Sequence, residues 1–112
     1  MVTTTTLLFL RERQAKEEAA REREMTAAVA AIRSSIAAFR ARSGRYPRSL
    51  DELPSIPRDP ITHSTRTWQV ETEESVSADD FAPGSKKGET FIVNVRSGAK
   101  GRDAHGRAWA DY

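Results

Sequence analysis

The sequence predicts an α+β fold, in which one long N-terminal α-helix packs on a small, about three-stranded, antiparallel β-sheet. Three observations predict it. Residues Leu7 to Ser43 contain neither proline nor glycine and are dominated by alanine, arginine and glutamate. The stretch Gly44 to Pro60, GRYPRSLDELPSIPRDP, then stops the helix and turns the chain repeatedly. Beyond it, short runs of alternating residues rich in strand formers replace the helical pattern.

The helix comes first. At about 1.5 Å per residue it would be on the order of 55 Å long, more than a small globule needs. Its two halves differ in character. Arg11 to Glu24, RERQAKEEAARERE, is polar nearly all round and offers no broad stripe to bury. Glu12–Lys16 and Glu17–Arg21 are favourable i,i+4 pairs, each contributing about 0.2–0.5 kcal/mol. From Met25 the pattern changes: Met25, Val29, Ile32, Ile36 and Phe39 recur every three or four residues and line one face. That face is expected to pack across the sheet. The expected division is therefore a polar helical rod over 1–24 and a globular head over 25–112. Arg40, Arg42 and Arg45 crowd the C-terminal end, where the helix dipole favours positive charge. Gly44 suits the left-handed stop.

The connection follows. Tyr46-Pro47 turns the chain, and Ser49 with Glu52 forms an S-x-x-E capping box for a short helix beginning at Leu50. Pro54 and Pro57 end that helix, and Asp59-Pro60 marks another turn. Strand signals come next. Thr65 to Thr72, TRTWQVET, places Trp68 and Val70 on one face, and Thr90 to Val95, TFIVNV, places Phe91, Val93 and Val95 on one face. Glu73 to Gly88, polar and ending in PGSKKG, reads as a long hairpin connection. A short last strand is expected around Arg107 to Ala110.

Composition narrows the function classes. At 112 residues the chain holds one domain at most, and its formal charge is only +2. The sequence pI of 9.3 reflects arginine richness near charge balance and argues weakly for nucleic acid. With no cysteine there is neither a disulfide framework nor thiolate chemistry. No run reaches the roughly 18 apolar residues needed to span a bilayer. The start, MVTTTTLLFL, reads either as the frayed beginning of a helix or as the last turns of a membrane helix.

No catalytic constellation emerges. The glycines form no phosphate-binding loop, and no G-x-S-x-G elbow surrounds a serine. His63 and His105 lie in separate turn-like segments and read as surface histidines. The acidic pairs Glu73-Glu74 and Asp79-Asp80 lack apolar neighbours that would raise a carboxyl pKa. The chain is not expected to be an enzyme or to take a small-molecule substrate.

A long helix running into G-R-Y-P-x-S-L-x-E-L (Gly44–Leu53), then I-P-x-D-P (Ile56–Pro60), Trp68 in a strand, and V-R-S-G-A-x-G opening Val95–Tyr112 resembles the type IV pilin-like proteins. It resembles most the major, G-type pseudopilins of type II secretion. The resemblance implies a pilin-like head, and a helix whose N-terminal half crosses the bacterial inner membrane and later forms a filament core. The head would face the periplasm, and the chain as given would be soluble. The implied partners are other copies of the chain, other pseudopilins and inner-membrane assembly machinery, with nucleic acid not expected. In that reading Tyr46, Leu50 and Leu53 pin the connection to the head, while Pro47, Pro54, Pro57 and Pro60 limit its freedom.

Two departures from the family stand out. No processing signal of the G-F-T-L-x-E kind is present, so the chain reads as a soluble form, a product of a misplaced start or a divergent relative. The resemblance to the G-type subunits also implies calcium held at the C-terminal loop, with an acidic side chain after Ser-x-Gly-Ala supplying oxygen. Here Lys100 stands in SGAKG, so no cofactor is expected. Asp103 and Asp111 are the remaining calcium candidates, since calcium wants six to eight oxygens. The loop is expected to be held instead by turns at Gly98, Gly101 and Gly106 and by burial of Trp109 and Tyr112. The alternative function is a helix-mediated protein- or nucleic-acid-binding module. The interleaved glutamates make phosphate binding weak, and Arg11–Glu24 lacks a coiled-coil seam.

Overall fold

The computed structural model describes residues 4–74 and 88–112, with side chains from residue 10 onward. Helix α1 spans Thr4–Ser43, 40 residues, or about 60 Å of rise. It ends where glycine permits: Gly44 has φ +74 and its N–H donates to Arg40 O at 2.8 Å. A 3₁₀ turn, Leu50–Glu52, follows. Strands β1 (Trp68–Glu74) and β2 (Thr90–Ser97) pair antiparallel, and a second 3₁₀ turn, Trp109–Asp111, closes the fold. The order is thus one long helix, then a small antiparallel sheet.

Met25, Val29, Ile32, Ile36 and Phe39 are all buried and, with Ala28, form the helix side of the core. The opposing side comes from Leu53, Trp68, Ile92, Val95, Ala99 and Trp109. The helix makes its sheet contacts through β2.

Three local expectations are corrected. Among the described residues the sheet has two strands. In place of a third strand around Arg107, an isolated bridge joins Arg102 to Ala108 before the chain tightens into 3₁₀. The glycines around this segment bend it too sharply for a ladder to extend.

The strict alternation in β2 is broken by a β-bulge. Glu71 lies opposite Asn94 but Thr72 lies opposite Ile92, so Val93 is the extra residue. The bulge hands the core face from Val95 to Ile92, leaving Val93 half-buried; Phe91 is buried as well. In β1, Trp68 is buried as expected but Val70, on the same face, is 42% exposed.

The capping box does not form. Ser49 makes no side-chain cap bond. Glu52 instead accepts from Arg48 N at 3.0 Å and from Arg45 Nη2 at 2.7 Å. A three-residue 3₁₀ turn is too tight for the reciprocal geometry of an α-helical cap.

The start of the chain, residues 1–3, and most of the expected hairpin connection, residues 75–87 with Asp79 and Asp80, lie outside the described residues.

Candidate functional site

Two segments carry the residues singled out from the sequence: the connection from Tyr46 to Pro60 and the C-terminal loop from Gly98 to Tyr112. One buried carboxylate ties them together. Asp59 is fully buried. Its Oδ1 accepts from the N–H groups of Ile61 (2.8 Å) and Thr62 (3.3 Å), and its Oδ2 accepts from Ser97 Oγ at 2.5 Å. Ser97 Oγ in turn accepts from Ala99 N at 3.0 Å. The carboxylate thereby closes its own turn, grips the end of β2, and sets the first step of the C-terminal loop. Pro60 follows Asp59 and is half-buried.

The connection is fastened at further points. Pro47 is among the fully buried side chains, and its carbonyl accepts from Ile92 N at 2.7 Å. Tyr46, Leu50 and Ile56 pack on the core from partly exposed positions, and Leu53 is buried in it. Trp68 Nε1 donates to Pro57 O at 2.9 Å, so β1 also holds the connection. Charge closes the outer side. Arg45 donates to Glu52 and stacks over Phe39, and Arg48 donates to Glu89 and stacks over Phe91. Arg45 hydrogen-bonding holds the Glu52 carboxyl below its ordinary pKa, with Arg48 N–H adding to the effect against partial burial.

The C-terminal loop is built around Asp103. Its Oδ1 accepts from the N–H groups of His105 (2.8 Å) and Arg107 (2.9 Å), and its Oδ2 accepts from Tyr112 O–H at 2.5 Å. The Tyr112 bond lowers the Asp103 pKa first, helped by the two backbone donors. Burial and the same hydrogen bond push the Tyr112 phenol up to about 12. Both Asp103 oxygens are thus engaged within the loop. Asp111 is exposed, with its backbone carbonyl accepting from Arg107 Nη2, and Lys100 is exposed as well. Among the described residues, no three His, Cys, Asp or Glu side chains gather where a metal ion could be held.

Turns supply the rest. Gly101 (φ +92) and Gly106 (φ +83) hold left-handed backbone. Gly98 is required for space, because a Cβ there would lie 2.1 Å from Thr67 O. Trp109 is buried and stacks on Tyr112 at 5.3 Å. His63 is exposed at φ 62, in the turn closed by Asp59.

Three contributors escaped the sequence reading. Ser97 relays Asp59 to the loop, and its only signal was a polar residue at an inward position of β2. Arg33 donates to Asn94 Oδ1 (2.7 Å), Val95 O (3.3 Å) and Tyr112 O (3.0 Å), tying helix, sheet and loop. It borders the apolar stripe of α1 and looked like any solvated arginine. Glu22, inside the polar rod, is 18% exposed, with Oε2 at 3.7 Å from His105 Nε2 and Oε1 buried without a hydrogen-bond partner. Glu18, Ala19 and Ala20 are half-buried too, so the C-terminal loop reaches a full turn or more below Met25.

This arrangement has braces and a helix that extends past the head, and the carboxylates of Asp59 and Asp103 are each engaged by neighbouring donors. No described helix is long and apolar enough to cross a membrane. No protein-family model, curated protein or solved structure matches the chain.

Proposed function

We propose that the chain is a structural subunit of a type II secretion pseudopilus or a related type IV pilin-like filament, and that it assembles through its N-terminal helix to support protein export. The observation that carries this reading is the 40-residue α1, whose buried face begins at Met25 while Arg11 to Glu17 stand exposed. A helix that outruns its own head by several turns is material for contact with another molecule. The motif order around it, G-R-Y-P through I-P-x-D-P to V-R-S-G-A-x-G, supports the same reading.

In this proposal the head is pilin-like, its described sheet two-stranded with the isolated Arg102–Ala108 bridge in the C-terminal loop beside it. It faces the periplasm, and the helix leads toward the inner membrane. Its partners are further copies, other pseudopilins and the inner-membrane assembly machinery. The subunit performs no reaction and needs no resident metal. A connection braced by Asp59 suits such a part, because small errors of head orientation accumulate along a helical, heterologous assembly.

The test is the mass and N-terminal sequence of the native protein recovered from host membranes. An apolar span ending in VTTTTLLFL is expected. A native protein that starts at Met1 and fractionates away from membranes would overturn the proposal.

A further inference from the structure

Among the described residues the sheet has two strands, and so two edges. The outer edge of β2 is occupied. Ile92 N donates to Pro47 O, Val95 N donates to Asn94 Oδ1, and Val95 O accepts from Arg33 Nη2. In an antiparallel ladder, two residues directly opposite each other either exchange both backbone bonds or both turn their groups away. Ile92 lies opposite Thr72, and Val95 lies opposite Val70. Thr72 and Val70 therefore turn their own N–H and C=O groups to the outer edge of β1. Among the described residues β1 pairs with β2 alone, so nothing there meets them. Val70, in the middle of that edge, is 42% exposed, and Thr72, Glu73 and Glu74 are exposed beyond it. The bulge that interrupts β2 leaves β1 itself regular.

We propose that the outer edge of β1 pairs with the same edge of a second copy, about a two-fold axis at Val70, to make one continuous antiparallel sheet. Charge selects this occupant. Glu71, Glu73 and Glu74 repel most strands and favour one that brings arginine to the far end, and exposed Arg66 stands just before β1. Two antiparallel copies of β1 keep matching faces together in registers centred on Gln69, Val70 or Glu71. Centred on Glu71, the two Glu71 carboxylates oppose each other. Centred on Gln69, Arg66 faces uncharged Thr72. Centred on Val70, Arg66 of each copy faces Glu74 of the other, once at each end, and no like charges are opposed. The same register sets Val70 against Val70, so that their outward N–H and C=O groups exchange hydrogen bonds and their exposed side chains meet. Such a contact is isologous and closes at two copies. It goes beyond the filament reading and does not depend on it: heads are joined in pairs, and α1 is left free.

Sedimentation of the full chain should show a monomer–dimer equilibrium that stops at two. Arg66→Glu and Glu74→Arg are each expected to weaken dimerisation about tenfold, and the two together to restore it to within about twofold of the parent. Both positions are exposed, so these chains should fold. Val70→Pro removes an N–H that makes no bond to β2, and it should abolish the dimer while the edge strand stays in place. Hydrogen exchange supplies an independent readout: the amides of Val70 and Thr72 should slow as the chain concentration rises. A double charge swap that stays as weak as the single changes would overturn the pairing. A chain that stays monomeric at every concentration would overturn it too, whether those two amides exchange fast, as on a bare edge, or slowly, as on an edge covered from within the same molecule. Neither failure alters the N-terminal sequence of the native protein, which judges the filament reading separately.

Discussion

Ser97 Oγ donates to Asp59 Oδ2 at 2.5 Å, across 38 residues of sequence and out of reach of solvent. Each group depends on the other, because a buried polar atom left without a partner costs about 1–3 kcal/mol. Asp59→Ala removes the acceptor for Ile61 N, Thr62 N and Ser97 Oγ together. We expect a loss of about 3–5 kcal/mol in urea denaturation. Ser97→Ala strands Oδ2 and Ala99 N and should cost about 2 kcal/mol. A loss under half a kilocalorie for Asp59→Ala would show that the turn stands without it.

Gly98 and Gly101 should respond differently to alanine. At Gly98 the new Cβ meets the Thr67 carbonyl at 2.1 Å, and backbone has to move. At Gly101 there is open space, and only the φ of +92 resists. Gly101→Ala is expected to cost about 1–2 kcal/mol, and Gly98→Ala clearly more. Thermal melts of the two variants side by side would reverse that order if β1 can slide away from the loop.

The Asp103–Tyr112 pair predicts stability changes at both ends of the pH scale. The Asp103 carboxyl is lowered in the fold, so its contribution is present above its unfolded value of 3.8 and is lost as pH falls below it. The Tyr112 phenol is raised from 10.0 to about 12, so its contribution is present below pH 10 and is lost between 10 and 12. Tyr112→Phe should therefore flatten the alkaline limb of a Tm–pH profile and soften the acid one. Ultraviolet titration of tyrosinate provides the direct check, with one of the two tyrosines expected to ionise late. Two phenols titrating together near pH 10 would contradict the assignment.

Truncation tests where the head begins. Removing residues 1–16, of which 10–16 are exposed helix, should change stability by no more than about 0.5 kcal/mol. Removing residues 1–24 also takes the half-buried Glu18, Ala19, Ala20 and Glu22 from under the C-terminal loop. That deletion should cost about 1–2 kcal/mol and speed hydrogen exchange at the amides of His105 and Arg107. Equal stability of the two truncated chains would place the boundary at Met25 after all.

Arg33→Ala should cost about 1–2 kcal/mol by breaking three hydrogen bonds from one guanidinium. Arg33→Lys should restore little of it, because an ammonium cannot address Asn94, Val95 and Tyr112 from one planar fork. Full rescue by lysine in denaturation experiments would mean that charge alone matters at this position.

How much of this was legible depends on how local the cause is. Helix α1 and its stop at Gly44 follow from propensity, a stripe spaced by three and four, and one glycine. The core face Met25–Phe39 was legible for the same reason. The bulge at Val93 was not, because β2 reads as clean alternation and the extra residue exists only relative to β1. The Ser49–Glu52 cap failed because Glu52 had a better offer from Arg45, seven residues back. Asp59 read as a turn residue, and nothing local said that its second oxygen would find Ser97. Arg33 and Glu22 were invisible because their partners come from the far end of the chain.

The hydrogen bond from Ile92 N to Pro47 O has a mechanical meaning. It ties the connection just after the helix directly to the backbone of β2, at the residue that also pairs with Thr72 of β1. Pro47 itself is locked in φ and buried, so the joint between shaft and head has one rotor fewer. A torque applied to the head therefore meets a short, pinned connection before it reaches α1, so shaft and head are coupled more tightly than a free loop would allow.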